Sequence, residues 1–294
     1  MNINEFTKKM KSELEVRLAS GYEVSTKEVM KNNGIVMHGI LIRKCKGAIA
    51  PTIYMEAFFQ QYEAGKSWES IIDQILEMYR QGLPREPLNL DYFDDFERVK
   101  GKIAYKLINA EKNKCLLETI PHIEFLDLAI CFYYAFSHAS IGEGTILIQN
   151  GHMKQWNVNT KVLFEMAQKN TRSLLGIDYM AMKSFLKEYY ELELDNKIEM
   201  PLHVLTNKKR YLGACCILYP GVLKGIAGVC KGDYFVLPSS IHEMLILKST
   251  GHEDVKALQD MVREVNATLV YPEEYLSDHV YYYDSLKNQM RMIG

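Results

Sequence analysis

Apolar residues recur three or four positions apart at the start of the chain, at Ile3, Phe6, Met10, Leu14 and Leu18. That period predicts an amphipathic helix, and Asn2 with Glu5 has the spacing of a capping box at its start. Strand-like runs over 22–30 and 34–43 flank Asn32-Asn33-Gly34, an Asn-Gly turn that predicts a hairpin. After Pro51-Thr52-Ile53-Tyr54-Met55, two helices are predicted at 55–64 and 68–81. Ser67 caps the second, and Gly82 with Pro84 ends it.

The stretch from Leu83 to Asp91 carries Pro84 and Pro87 and little apolar content, which makes it the clearest linker. It divides the chain into an N-terminal helix and hairpin region over 1–83, a central α/β region over 84–199 and a C-terminal region over 200–294. In the centre the pattern predicts a helix at 91–99, a strand at 102–108, a helix at 109–118 and a long apolar strand at 124–136. Gly142 and Gly144 precede a further strand at 145–149, and helices follow at 159–174 and 178–190. Beyond Met200 come strands at 200–206 and 211–218, a helix at 220–229, strands at 233–238 and 243–248, a helix at 253–266 and strands at 279–284 and 288–293. Short turns force antiparallel neighbours while helices cover or cross over. The fold class expected is α+β, with mixed, largely antiparallel sheets under covering helices.

Composition narrows the classes. A chain of 294 residues that is 48% hydrophobic has ample material for a packed core. Thirty-five Lys and Arg against 37 Asp and Glu leave a net charge of −2, so nucleic acid is unsupported as a partner. The densest basic cluster, Arg98, Lys100, Lys102, Lys106, Lys112 and Lys114, is interrupted by Glu97 and Glu111 and reads as a solvated face. The first ten residues lack the apolar core of a signal peptide, and no run reaches the roughly 18 apolar residues needed to span a bilayer. A cytoplasmic protein is expected, with no membrane association. Its six cysteines sit mostly in apolar contexts without a Cys-x-x-Cys pair, as befits reduced, buried thiols. Gly142-Glu143-Gly144 and the series Gly221, Gly225, Gly228 lack the Lys-Ser/Thr of a phosphate loop, so no cofactor is implied. The latter series reads as close packing or a helix stop.

Polar chemistry concentrates in two runs, Val236-Leu237-Pro238-Ser239-Ser240-Ile241-His242-Glu243 and Leu276-Ser277-Asp278-His279-Val280-Tyr281-Tyr282-Tyr283-Asp284. A hydrolytic site would take Ser239 or Ser240 as nucleophile, His242 or His279 as base and Glu243 or Asp278 as orienting acid. No Gly-x-Ser-x-Gly elbow accompanies them, and hydroxyls beside Pro238 serve equally as turn formers. His242, Glu243, Asp278 and His279 also suit a transition metal, yet neighbours on a strand point to opposite faces, so each run offers one ligand inward. The structural alternative has these runs lying side by side, each histidine bonded to a carboxylate. Asp127 stands within an apolar run and needs a partner; Arg98 or Lys106 is the expected one. Nineteen tyrosines and 15 methionines favour an interaction surface.

Several short segments resemble the uncharacterised bacterial family DUF5688, common in gut Firmicutes. They are Met37-His38-Gly39, Pro51-Thr52-Ile53-Tyr54-Met55, Lys106-Leu107-Ile108-Asn109, His122 to Ala129, Val204-Leu205-Thr206-Asn207, Ile217-Leu218-Tyr219, Leu237 to Glu243 and Tyr271 to Asp284. The resemblance covers nearly the whole chain and implies a bacterial cytoplasmic origin. It supplies no activity, substrate or catalytic residue. A non-enzymatic binding or accessory protein, borne by a mobile element and acting on a host or phage protein, is the expected class. A small-molecule hydrolase centred on His242 and His279 is the alternative.

Overall fold

The computed structural model describes residues 1–18, 20–44, 51–83, 91–138, 142–192 and 200–293. The linker residues 84–90 and Cys45 lie outside the described residues. The chain forms two compact units, one of Met1–Asp91 with Phe136–Gly144, the other of Tyr92–Ala135 with Thr145–Gly294.

The first unit opens on α1 (Ile3–Arg17), whose capping box forms as its sequence predicts: Asn2 Oδ1 accepts the Glu5 N–H at 2.9 Å and Glu5 accepts the Asn2 N–H at 3.1 Å. β1 (Tyr22–Met30) and β2 (Val36–Lys44) pair antiparallel across a short 3₁₀ turn in which Asn33 and Gly34 take φ of 61° and 69°. β3 (Thr52–Tyr54) adds to the free edge of β2. α2 (Glu56–Glu63) and α3 (Trp68–Gly82) follow, the latter capped by Ser67. Their apolar faces meet α1 and the sheet in one core of Phe6, Met10, Leu14, Ile40, Ile42, Ile71 and Ile75. Each such side chain contributes about 1.5–3 kcal/mol by leaving water.

Beyond Asp91 the chain continues through α4 (Phe96–Val99), β4 (Ile103–Asn109), α5 (Lys114–Leu117), β5 (His122–Phe125), β6 (Leu128–His138) and β7 (Gly142–Leu147). These strands form a sheet of order β4-β6-β5, with β7 also on β6. α6 (Asn150–Trp156) and α7 (Thr160–Leu175) lead to β8 (Asp178–Ala181), α8 (Met182–Tyr190), β9 (Leu202–Thr206), α9 (Val222–Cys230), β10 (Tyr234–Pro238), β11 (Met244–Lys248), α10 (Val255–Leu269), β12 (Val280–Asp284) and β13 (Gln289–Ile293). The larger sheet runs β13-β12-β10-β11-β9-β8 with every neighbour antiparallel. Phe235 and Leu237 of β10 and Val280 of β12 bury against Val262 of α10. The fold is α+β.

Two departures from the predicted elements shape the site. The apolar run 124–136 is not one strand: β5 and β6 are joined by the two-residue turn Leu126-Asp127, with Leu126 at φ 57°. Asp127 therefore leaves the sheet instead of burying a charge within it. Residues 211–218 were expected as a strand, but Gly213–Leu218 coil as a 3₁₀ helix. Arg210 and Leu212 take positive φ of 52° and 56°, which reverses the chain. Gly213 then lies so close to its neighbours that a Cβ would clash with Thr206 Oγ1 and stand 2.5 Å from the His242 carbonyl oxygen.

Candidate functional site

Antiparallel pairing of β10 with β12 sets Val236 opposite Tyr281, Phe235 opposite Tyr282 and Tyr234 opposite Tyr283. The two polar runs thus emerge from neighbouring strands. Each histidine bonds to a carboxylate, but neither uses the acid in its own run. His279 Nδ1 lies 3.0 Å from Asp127 Oδ2, and His242 Nε2 lies 3.3 Å from Glu274 Oε1.

Asp127 is the hub of the first group. Its Oδ2 accepts the Ser277 hydroxyl at 2.6 Å together with the His279 contact, and its Oδ1 accepts the Tyr281 hydroxyl at 2.6 Å. A carboxylate accepts, so Nδ1 carries the imidazole proton. Neither Arg98 nor Lys106 pairs with Asp127 among the described residues; two hydroxyls and a ring N–H take their place. Ser277 is fully buried, donates to Asp127 and accepts the His279 N–H at 2.9 Å. Its proton is committed, which disqualifies it as a nucleophile. Tyr281 is also fully buried; burial first, then the Asp127 charge, raises its phenol far above the ordinary value. Side-chain amides hold the segment itself: Asn109 Nδ2 donates to the Leu276 carbonyl at 2.9 Å, and Asn266 Nδ2 donates to the Ser277 carbonyl at 2.9 Å and to Asp278 Oδ1 at 2.8 Å. His279 ends up 41% exposed, and its Nε2 has no hydrogen-bond partner among the described residues. A ring with one nitrogen held and the other open can take up or deliver a proton at Nε2.

The second group is closed. His242 Nδ1 accepts the Leu212 N–H at 3.1 Å, leaving Nε2 as the donor to Glu274. Both ring nitrogens are engaged. Ser240 donates to Glu243 Oε1 at 2.9 Å and accepts the His242 N–H at 2.9 Å, while Thr206 Oγ1 donates to the His242 carbonyl at 2.7 Å. Ser239 is half-buried beside them. So the structure brings Ser240 to Glu243 and Asp278 to Asn266, and sends the two histidines to separate acids. Among the described residues no three His, Cys, Asp or Glu side chains converge as metal ligands. Cys131, Cys215, Cys216 and Cys230 are buried free thiols, whereas Cys115 is exposed.

A different kind of surface lies on α8 and the turn after β9. Tyr189, Tyr190 and Tyr211 are 42%, 62% and 46% exposed, and Leu192 is 52% exposed. Phe185 packs against Tyr189 and Tyr190 at ring distances of 5.5 and 5.9 Å. The Arg210 guanidinium stacks over Phe185 and Tyr189 while Asp178 pins it at 3.0 Å. Tyr281 and Tyr283, by contrast, are buried, so the tyrosine run at 281–283 is mainly core.

A family model, Family of unknown function (DUF5688), matches residues 3–285. The chain belongs to DUF5688. No curated protein and no solved structure matches it. The family match takes in both histidine groups and the α8 surface of this DUF5688 chain. Sequence reasoning singled out Asp127 and the run that carries Ser277, Asp278, His279 and Tyr281, but it did not join the two and missed Glu274. The available signal for Asp127 was a carboxylate in apolar surroundings. Nothing local tied it to its partners 150 and more residues away.

Proposed function

We propose that this DUF5688 protein is a non-enzymatic binding protein of the cytoplasm that docks another protein through α8 and the turn after β9. The observation that carries this reading is the pair of exposed rings Tyr189 and Tyr190 packed on half-buried Phe185, with Arg210 stacked over Phe185 and Tyr189. Tyrosine and arginine supply large contact area at low entropic cost and dominate interface energies. Here the guanidinium is already fixed by Asp178 and two rings, so little ordering remains for a partner to impose. Reduced, buried thiols at Cys131, Cys215, Cys216 and Cys230 suit the cytoplasm. A photo-crosslinking amino acid placed at Tyr190 is expected to capture one protein species in the native host, and the same group at the fully exposed Leu286 to capture none. Equal capture at both positions, or none at Tyr190, would remove the proposal.

A second reading rests on the open Nε2 of His279 opposite its carboxylate-held Nδ1, the orientation of a general base. It makes the protein a small-molecule hydrolase. Ester turnover lost in His279→Gln at unchanged melting temperature supports it; a wild-type protein without turnover on an ester and phosphoester panel does not.

A further inference from the structure

Lys106, expected beside Asp127, makes no hydrogen bond or ion pair among the described residues. It is half-buried on β4, directly opposite Cys131 of β6, and Cys131 in turn stands opposite His122 of β5. Residues opposite one another on antiparallel strands share a face, with Cβ atoms about 4.5–5.5 Å apart. Lys106, Cys131 and His122 therefore form one row across the sheet. Around the row that face is apolar: Cys131 buries with Ile108, Ile120 and Ala129, and Leu116 and Leu117 pack against them. No row neighbour supplies negative charge. Burial pushes the Cys131 thiol up to about 12, so it stays protonated. His122 donates from Nδ1 to the Ile120 carbonyl oxygen at 3.1 Å, and neither form of an imidazole is negative at neutral pH. Glu124, the carboxylate on the same face of β5, is exposed and forms no ion pair with Lys106 among the described residues. An ammonium without a partner in apolar surroundings gives up its proton more readily, and desolvation lowers the Lys106 amine below the ordinary lysine value. A neutral amine is a nucleophile.

We infer that Lys106, in the row it forms with Cys131 and His122, captures a small, uncharged aldehyde or ketone as a Schiff base. The amine nitrogen attacks the carbonyl carbon, a C–N double bond replaces the C–O one, and the oxygen leaves as water with both amine hydrogens. Lysine suits that step because burial readily changes its protonation, as it does not for arginine. The ligand is small because Lys106 is only partly open to solvent, and uncharged because the row offers no charged group to hold an ion. Neither the docking surface on α8 nor His279 takes part.

Acetylacetone tests it, since this neutral diketone condenses with a neutral lysine amine to a conjugated enaminone, seen as new near-ultraviolet absorbance. On the folded full chain near pH 7, mass mapping is expected to place the adduct at Lys106, formed at least about tenfold faster than at the exposed Lys154 and Lys224. That factor is the gain in neutral amine that a modestly lowered pKa gives. The rate at Lys106 should also level off at a lower pH than the rates at those two. Lys106→Met is expected to lose the fast phase at an equal or higher melting temperature, because an apolar chain replaces an amine without a partner. Should that variant fail to fold, the site-resolved rates of the wild-type chain decide. Labelling at Lys106 no faster than at Lys154 and Lys224, or faster only once urea unfolds the chain, overturns the inference. So does a fast phase that survives Lys106→Met.

Discussion

The runs around His242 and His279 look alike as sequence, each with serine, imidazole and acid within a few residues, yet the fold uses them differently. His242 is bound at both nitrogens, by the Leu212 amide and by Glu274, and its carbonyl is held by Thr206. It fastens the 3₁₀ segment to the strand end. His279 is bound at one nitrogen only, by a carboxylate 152 residues away, and offers the other to solvent. Composition within a run therefore says little about which nitrogen is free. Strand pairing and the turn at Leu126-Asp127 decide it.

The contrast breaks most visibly at Asp127. Replacing it by alanine leaves Ser277 and Tyr281 as buried donors without an acceptor, each costing about 1–3 kcal/mol. Asp127→Ala is expected to lose about 3 kcal/mol in urea unfolding, well above the loss from Glu274→Ala, whose carboxylate has a single imidazole partner at a more exposed site. A loss under about 1 kcal/mol would show that the hub is incidental to the fold.

Tyr281→Phe sharpens the comparison next, with an expected loss of about 1.5 kcal/mol near pH 7 from one charge-assisted hydrogen bond. The sign of its pH dependence is fixed. Burial and then Asp127 hold the folded phenol above its ordinary value of 10.0, so the folded chain keeps a proton that the unfolded chain releases. That contribution is complete below about pH 10 and is lost as pH rises further, so the wild-type advantage over Tyr281→Phe should shrink by up to about 1.4 kcal/mol per pH unit above pH 10. A deficit that stays constant to pH 11, or grows, would contradict the buried Tyr281–Asp127 bond.

What could be read in advance was local. The capping box of Asn2 and Glu5, the Asn33-Gly34 reversal and the apolar period of α7 are set by neighbours within one or two turns, and each forms where the pattern predicts. That the chain returns beside β10 was legible in part: the expectation set Leu237–Glu243 against Leu276–Asp284, whereas the register pairs Tyr234–Val236 with Tyr281–Tyr283 and leaves the first run beyond the paired stretch. The Asp127 hub was not. Its turn depends on Leu126 adopting a positive φ that no glycine announces, and its partners Ser277 and Tyr281 stand 150 and 154 residues on. Residues 213–218 misled for a similar reason: Cys215, Cys216, Ile217 and Leu218 read as strand, but the reversals at Arg210 and Leu212 are imposed by tertiary contacts around Gly213.

The smallest effect is also the one that isolates the two histidines. His242→Ala removes an acceptor from the Leu212 amide and a donor from Glu274, for an expected loss of about 1.5 kcal/mol. His279→Ala removes one contact at a ring that is 41% exposed, and Asp127 keeps Ser277 and Tyr281 as donors, so water can replace what is lost; the expected cost is about 0.5 kcal/mol. The difference of about 1 kcal/mol is small but measurable in parallel urea titrations. Equal losses would mean that His279 Nε2 is occupied in solution, and the proton-transfer reading would lose its footing. A larger loss at His279 than at His242 would reverse the assignment of which histidine holds the fold and which is open for chemistry.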